Sequence, residues 1–161
     1  MAARLLQPEH LDAILQRFSK RTAAALRSAD TLGGQITGLR RLILAVLIEQ
    51  GKPLGAYELI DELGRLIGRS VKPTSIYRSI EDLIAGRLIA RIASRNLFVA
   101  CAHPGHPHDC VLLICERCGT TRELEDQRLD KLIREDAHKV GFEPNHRILE
   151  IEGTCGDCRT G

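Results

Sequence analysis

Two Cys-x-x-Cys pairs, Cys115/Cys118 and Cys155/Cys158, carry the clearest chemistry in this chain. Each stands beside a glycine, Gly119 and Gly156, expected to let the backbone turn so that both sulfurs face one point. Four thiolates brought together suit a tetrahedral soft-metal site, above all Zn²⁺, with Zn–S bonds of about 2.3 Å. The stretch 119–154 between the pairs exceeds the roughly 15–20 residues of a zinc ribbon, so a folded segment must lie between them. A closed four-thiolate site is expected to be structural.

A second donor group lies upstream in Cys101, His103, His106, His108, Asp109 and Cys110. Imidazole with one thiolate is a mixed set that also suits Zn²⁺, and a strand returning after Cys118 could bring Glu123 close. Such ligands lose protons on binding, so occupancy falls in acid. A His-rich linker with incidental affinity is the bland alternative. Catalytic zinc also uses mixed ligands with an open position. No His-Glu-x-x-His is present, however, nor a His-x-Glu joined to Pro-Cys-x-x-Cys, so no enzyme is expected. Cys110 reads as a small buried residue. All six cysteines fall after residue 100, and clustered with histidines they read as metal ligands rather than disulfides.

Composition limits the partners. Charged residues make up 27% and the net charge is +2, so any nucleic-acid surface must be local. Aromatics at 3% and the absence of Trp argue against a stacking platform for single strands. The first residues lack the apolar core of a signal peptide, and Leu42–Ile48 is too short to span a bilayer. A soluble, cytoplasmic protein without a membrane partner or small-molecule substrate is expected.

The elements that position these residues divide into two chemistries. Residues 1–100 hold no Cys, whereas 101–161 hold all of them, which predicts two domains, one over 1–100, with a hinge from about 93, and a metal-binding one over 101–161. Leu11, Ile14, Leu15 and Phe18 follow helical spacing after Pro8, and Gly33-Gly34 breaks the chain. Thr37 is placed to cap a helix running to about Gly51. A further apolar face covers 55–67, and Pro73 opens a helix to Ala85. Leu88–Ile92 and Leu97–Cys101 flank the turn Ser94-Arg95-Asn96 as a hairpin.

This order outlines a winged helix-turn-helix with 73–85 as its reading helix. Ile76, Ile80, Leu83 and Ile84 pack inward, leaving Thr74, Ser75, Tyr77, Arg78 and Arg87 toward DNA. Arg78 suits guanine O6/N7 and the hydroxyls suit phosphates, with Arg40, Arg41 and Lys72 as further phosphate contacts. A helical domain with a merely solvated polar face is the alternative. In the second half, Val111–Cys115 and Thr120–Leu124 read as paired strands, Asp126–Val140 as an amphipathic helix and Arg147–Glu152 as a strand with one wet face. The whole is α+β. So small a sheet with one helix leaves apolar surface uncovered, which predicts a twofold homodimer.

The segments Ala56-Tyr57-Glu58-Leu59-Ile60, Lys72-Pro73-Thr74-Ser75-Ile76-Tyr77-Arg78, Ile114-Cys115-Glu116-Arg117-Cys118-Gly119 and Gly153-Thr154-Cys155-Gly156-Asp157-Cys158 resemble the ferric uptake regulator family, most of all its zinc uptake regulators. The resemblance covers roughly residues 10–158. It implies a dimeric, zinc-responsive repressor that binds double-stranded operator DNA and controls zinc uptake genes, with two Zn²⁺ per chain. Structural zinc falls on Cys115, Cys118, Cys155 and Cys158, and the sensing site on Cys101, His108 and Glu123. The fourth sensing ligand of zinc uptake regulators, a wing-strand His, is matched here by Ala90, and His103, with His106 as the alternative, is expected to replace it. Iron-type members carry a His-His-acid-His run where this chain reads Asp109-Cys110-Val111-Leu112, which weakens an iron reading. Iron-, manganese- or peroxide-responsive relatives remain the alternative reading.

Joining Cys101 to His108 and Glu123 through a metal ties the two domains together. It thereby favours the form whose two reading helices meet successive major grooves.

Overall fold

The computed structural model describes residues 7–33, 36–102, 104, 111–124, 126–144 and 149–160. The chain forms two compact units, Met1–His106 and Pro107–Gly161.

In the first unit, five helices surround one core: α1 (Pro8–Leu15), α2 (Lys20–Gly33), α3 (Gly38–Gln50), α4 (Ala56–Ile67) and α5 (Pro73–Ala85). Helix α3 is the central rod, buried continuously from Leu42 to Leu47. It ends at Gly51, whose φ of 60° supplies the left-handed turn that lets its N–H reach Leu47 O. Helix α4 begins where the Glu58 carboxylate accepts from the Gly55 N–H at 2.7 Å. Its apolar face carries Leu59 and Leu63, both fully buried. Pro73 stands in the first turn of α5, where a missing N–H is harmless. Thr37 occupies the N-cap of α3 but makes no side-chain cap bond, contrary to expectation.

Helix α2 is an addition to the predicted elements. Ser19 caps it by accepting from Thr22 N at 3.2 Å, and Ser19 Oγ reaches Glu49 Oε2 at the end of α3 at 2.7 Å. Thr22, fully buried, also donates to Glu49 Oε2. These bonds hold the Glu49 carboxyl below its usual range, the Thr22 hydroxyl contributing most and Ser19 next. The wing is three-stranded. Strands β2 (Ile89–Ile92) and β3 (Leu97–Ala100) form the expected antiparallel hairpin, with Ala90 opposite Val99 and Arg91 opposite Phe98. The short β1 (Leu54–Gly55) adds to the other edge of β3.

In the second unit, β4 (Val111–Cys115) is the middle strand between β5 (Thr121–Leu124), antiparallel, and β6 (Leu149–Gly153), parallel. Helix α6 (Gln127–Lys139) and the one-turn α7 (Gly156–Thr160) complete it. Asp126 caps α6 by accepting from Arg128 N at 2.9 Å. The Arg128 guanidinium beside it, with that N–H, depresses the Asp126 carboxyl to about 2. The described part of the last strand begins at Leu149, as Arg147 and Ile148 lie outside the described residues. Its Glu150 and Glu152 share a sheet face with the buried Leu112 and Ile114, while Ile151 on the opposite face is exposed. Glu150 is half-buried but Glu152 is exposed, so in the single chain neither face of this strand is wholly covered. Leu132, Val140 and Phe142 are exposed as well.

Candidate metal centre and nucleic-acid interface

The parallel pairing of β4 with β6 brings the two cysteine pairs together. Parallel strands end on the same side, and Cys115 stands opposite Gly153, two residues before Cys155. Glu116 N donates to Gly153 O at 2.8 Å, which fixes that register beyond the last strand residue. After β4 the chain turns through Cys118 and returns as β5, with Gly119 N on Cys115 O and Cys115 N on Thr120 O, both at 2.9 Å. Gly119 has φ 74°, so this turn needs glycine. Gly156 does not play the same part. It opens α7, whose Arg159 N bonds back to Cys155 O at 3.0 Å. The second pair is thus positioned by a helical turn rather than by a glycine bend.

The sulfurs of Cys115, Cys118, Cys155 and Cys158 all lie within 4.8 Å of one another, with Cys118 and Cys155 at 3.7 Å. Tetrahedral Zn–S bonds of about 2.3 Å require sulfurs about 3.8 Å apart, so these residues fit the ion. The electrostatics are uneven. The Cys155 N–H points at Cys115 Sγ from 3.4 Å, and with the N–H groups of Cys118 and Arg117 it lowers the Cys115 thiol to about 6. The Thr120 hydroxyl, 3.2 Å from Cys118 Sγ, lowers Cys118 too. Cys158 is pushed up to about 12, first by its contact with Cys118 and then by Cys155, because four neighbouring sulfurs cannot all be anions without a cation.

Two supporting residues escaped sequence reasoning. Thr120 sits directly after Gly119, and Arg117 donates from Nη1 to Cys158 O, tying the first knuckle to α7. Only the place of Arg117 between the two cysteines hinted at this. Of the second donor set, Cys101 follows β3, with its N–H on Leu88 O at 3.0 Å, and Glu123 lies on β5 opposite Leu112. His103, His106, His108, Asp109 and Cys110 lie outside the described residues, as does His146. His138 Nε2 meets Glu143 at 2.8 Å on the surface.

On the first unit, α5 buries Ile76, Ile80 and Leu83 and presents Thr74, Tyr77 and Arg78 to solvent, with Ser75 half-buried beside them. Lys72 is exposed just ahead of the helix, and Arg87 is exposed just after it. Arg40 is exposed and 3.7 Å from Asp82. Arg41 differs from expectation. Its Nη1 is bound to both Asp30 oxygens at 2.7 and 2.6 Å and to Ile36 O at 3.3 Å, so it ties α2 to α3 instead of reaching outward.

Comparison with known proteins bears on both surfaces. The profile described as "Ferric uptake regulator family" matches residues 31–152. The zinc uptake regulation protein of Escherichia coli K12 is 29% identical over 125 residues, covering 77% of this chain and 72% of that protein. Among solved structures, holo XcZur superposes with a TM-score of 0.76 at 33% identity, covering 87% of this chain and 97% of the other. A zinc uptake regulator complexed with zinc and DNA gives a TM-score of 0.82 at 26% identity, covering 88% and 97%. No described helix is long and apolar enough to cross a membrane.

Proposed function

Because this chain belongs to the ferric uptake regulator family, and so to a family of regulators rather than of enzymes, we propose that it is a zinc-responsive repressor. In this reading it binds operator DNA as a zinc-loaded homodimer and controls zinc uptake genes in the cytoplasm. The four-sulfur cluster of tetrahedral size carries the reading, in a chain similar to a zinc uptake regulator solved with zinc and DNA.

Cys115, Cys118, Cys155 and Cys158 would hold one Zn²⁺ as thiolates. That ion supplies four bonds joining the turn after β4 to α7, and it is proposed as permanent. Two ions per chain are proposed, the second on Cys101, His103 or His106, His108 and Glu123. This second set reports zinc supply. Zinc bound more tightly by the DNA-competent form shifts the population toward it, and DNA must tighten zinc binding by the same factor. A coupling of about 3 kcal/mol already changes operator affinity roughly 150-fold. On the DNA side, Arg78 is proposed to read a base edge, while Arg40, Lys72, Thr74, Ser75 and Tyr77 position the backbone. The exposed Leu132, Val140, Phe142 and Ile151 support a second copy covering the small second unit.

The test is duplex binding against buffered free Zn²⁺, with Fe²⁺ and Mn²⁺ as controls and a duplex enriched from a random pool by the zinc-loaded protein as probe. Zinc-selective binding is expected, lost with about one ion per chain on mild chelation while the dimer persists. Equal response to Fe²⁺ or Mn²⁺ overturns the zinc assignment. A dimer that falls apart with the first ion lost overturns the two roles. Arg78→Ala should relax preference at one base pair at a cost of about 1–3 kcal/mol.

A further inference from the structure

Helix α5 carries two exposed acidic residues, Glu81 and Asp82, near its end. No other Asp or Glu occurs between Glu62 and Asp109, a stretch with Lys72, Arg78, Arg87, Arg91 and Arg95. Stability of the helix does not account for Asp82. An anion in the last turn opposes the helix dipole, and Asp is a poor helix former. Its partner is placed no better. Arg40 lies in the first turn of α3, the end that disfavours a cation. The two nevertheless meet where α3 packs against α5, with Arg40 Nη1 3.7 Å from Asp82 Oδ2 and side chains 45% and 49% exposed. So exposed a pair stabilises the fold little. Asp82 also shares a side of α5 with Arg78. Four residues later in the helix, it is rotated by about 40° and advanced by about 6 Å, on the face away from the buried Ile76, Ile80 and Leu83.

We propose that Asp82 is a positioning residue that sets sequence specificity by restraining Arg40 beside the reading helix. The inference rests on the DNA-binding reading above and deepens it, by naming what weakens the wrong duplexes rather than what holds the right one. An unrestrained Arg40 has a fork of N–H donors on a long side chain and can follow any phosphate within reach. Such a contact strengthens every duplex alike and carries no sequence information. Held by Asp82, the guanidinium meets a phosphate only where the backbone comes to it, in the register that also gives Arg78 its base edge. A phosphate elsewhere must draw Arg40 off the carboxylate, and it meets the negative charge of that carboxylate as well. Discrimination is a difference of affinities, and a repulsive group can widen it as an attractive one does. The same carboxylate weakens binding to every duplex, which fits a residue that serves selectivity rather than strength.

The experiment uses the zinc-loaded full-length dimer and two duplexes of equal length, the one enriched by the wild type and a scrambled one. The readout is the ratio of the two affinities, with the thermal midpoint measured alongside. Asp82→Asn should bind the scrambled duplex more tightly and lower the ratio about fivefold, near the most that one exposed charge pair supplies. Its midpoint should stay at or above the wild-type value, because the last turn of α5 loses an anion. Asp82→Glu keeps the charge within reach of Arg40 and should keep the ratio. In an Arg40→Gln background, Asp82→Asn should leave the ratio unchanged, since there is no guanidinium left to restrain. An unchanged ratio in Asp82→Asn alone overturns the proposal. A midpoint that falls together with the ratio makes Asp82 a structural residue and overturns it too. An equal fall of the ratio in the Arg40→Gln background overturns the route through Arg40. If Arg78→Ala loses sequence preference while Asp82→Asn keeps it in full, only the Asp82 assignment falls. If the wild type shows no zinc-dependent duplex binding, both readings fall.

Discussion

Cys118 Sγ stands 3.7 Å from Cys155 Sγ, although the two residues lie 37 positions apart in the chain. That distance matches the edge of a tetrahedral zinc–thiolate centre, about 3.8 Å. Helix α6, which lies between them in sequence, contributes no ligand to the centre.

Removing one corner should therefore undo the second unit. Cys155→Ser is expected to lose the tightly held zinc and, with it, the slow amide exchange of β4 and β6, because folding and metal binding are one equilibrium in such sites. Metal content by mass spectrometry under native conditions and hydrogen exchange would check this. Full retention of both would show that the cluster is not the structural centre.

Ala90 lies on the same face of the hairpin as Cys101. Ala90 pairs with Val99 and Leu88 O accepts from Cys101 N, which makes Ala90 and Cys101 diagonal neighbours, about 7–8 Å apart. An imidazole at position 90 spans that gap. Ala90→His is expected to tighten zinc at the proposed sensing site by at least about tenfold, the size of outer-shell effects alone. Competition against a zinc buffer reads the affinity. An unchanged value would mean that the present ligand set is already complete.

The Ser19–Thr22–Glu49 cluster makes a pH prediction. The folded Glu49 carboxyl is held below its ordinary value of 4.5, so its stabilising contribution is fully present above that value. It is lost as pH falls through the lower, folded value. Amide exchange in α2 should thus separate wild type from Glu49→Gln at pH 6, and the gap should narrow as pH falls below about 4.5. A gap independent of pH would show that the carboxylate charge has no part in the tie.

Ile151 is exposed in the single chain, in the middle of β6. If a second copy covers it, Ile151→Glu should weaken dimerisation roughly 900-fold, the effect of losing one interface anchor worth about 2 kcal/mol from each copy. Sedimentation equilibrium measures it. Unchanged association would move the interface to the Val140–Phe142 side.

Much of this molecule is written locally in its sequence. Helices α4 and α5 show long apolar stripes at helical spacing, and the hairpin announces itself by a polar turn between two apolar runs. The cysteine pairs are equally legible, since each is a contiguous motif. Helix α2 was not, because its buried stripe is drawn with Thr22, Leu26 and Ala29, and small side chains barely register as apolar. Strand β1 is two residues long, too short to show a period. Arg41 looked like a phosphate contact because nothing local names Asp30 as its partner, which is a tertiary relationship. The sequence likewise showed two cysteine pairs but not the parallel β4–β6 register that joins them.

That register has a consequence for engineering. The centre depends on where β4 and β6 end, not on how much chain connects them, so the connection is free to change length. Exchanging the chain between β5 and β6 for a shorter or longer segment would leave all four sulfurs in place, provided β4 and β6 still end side by side.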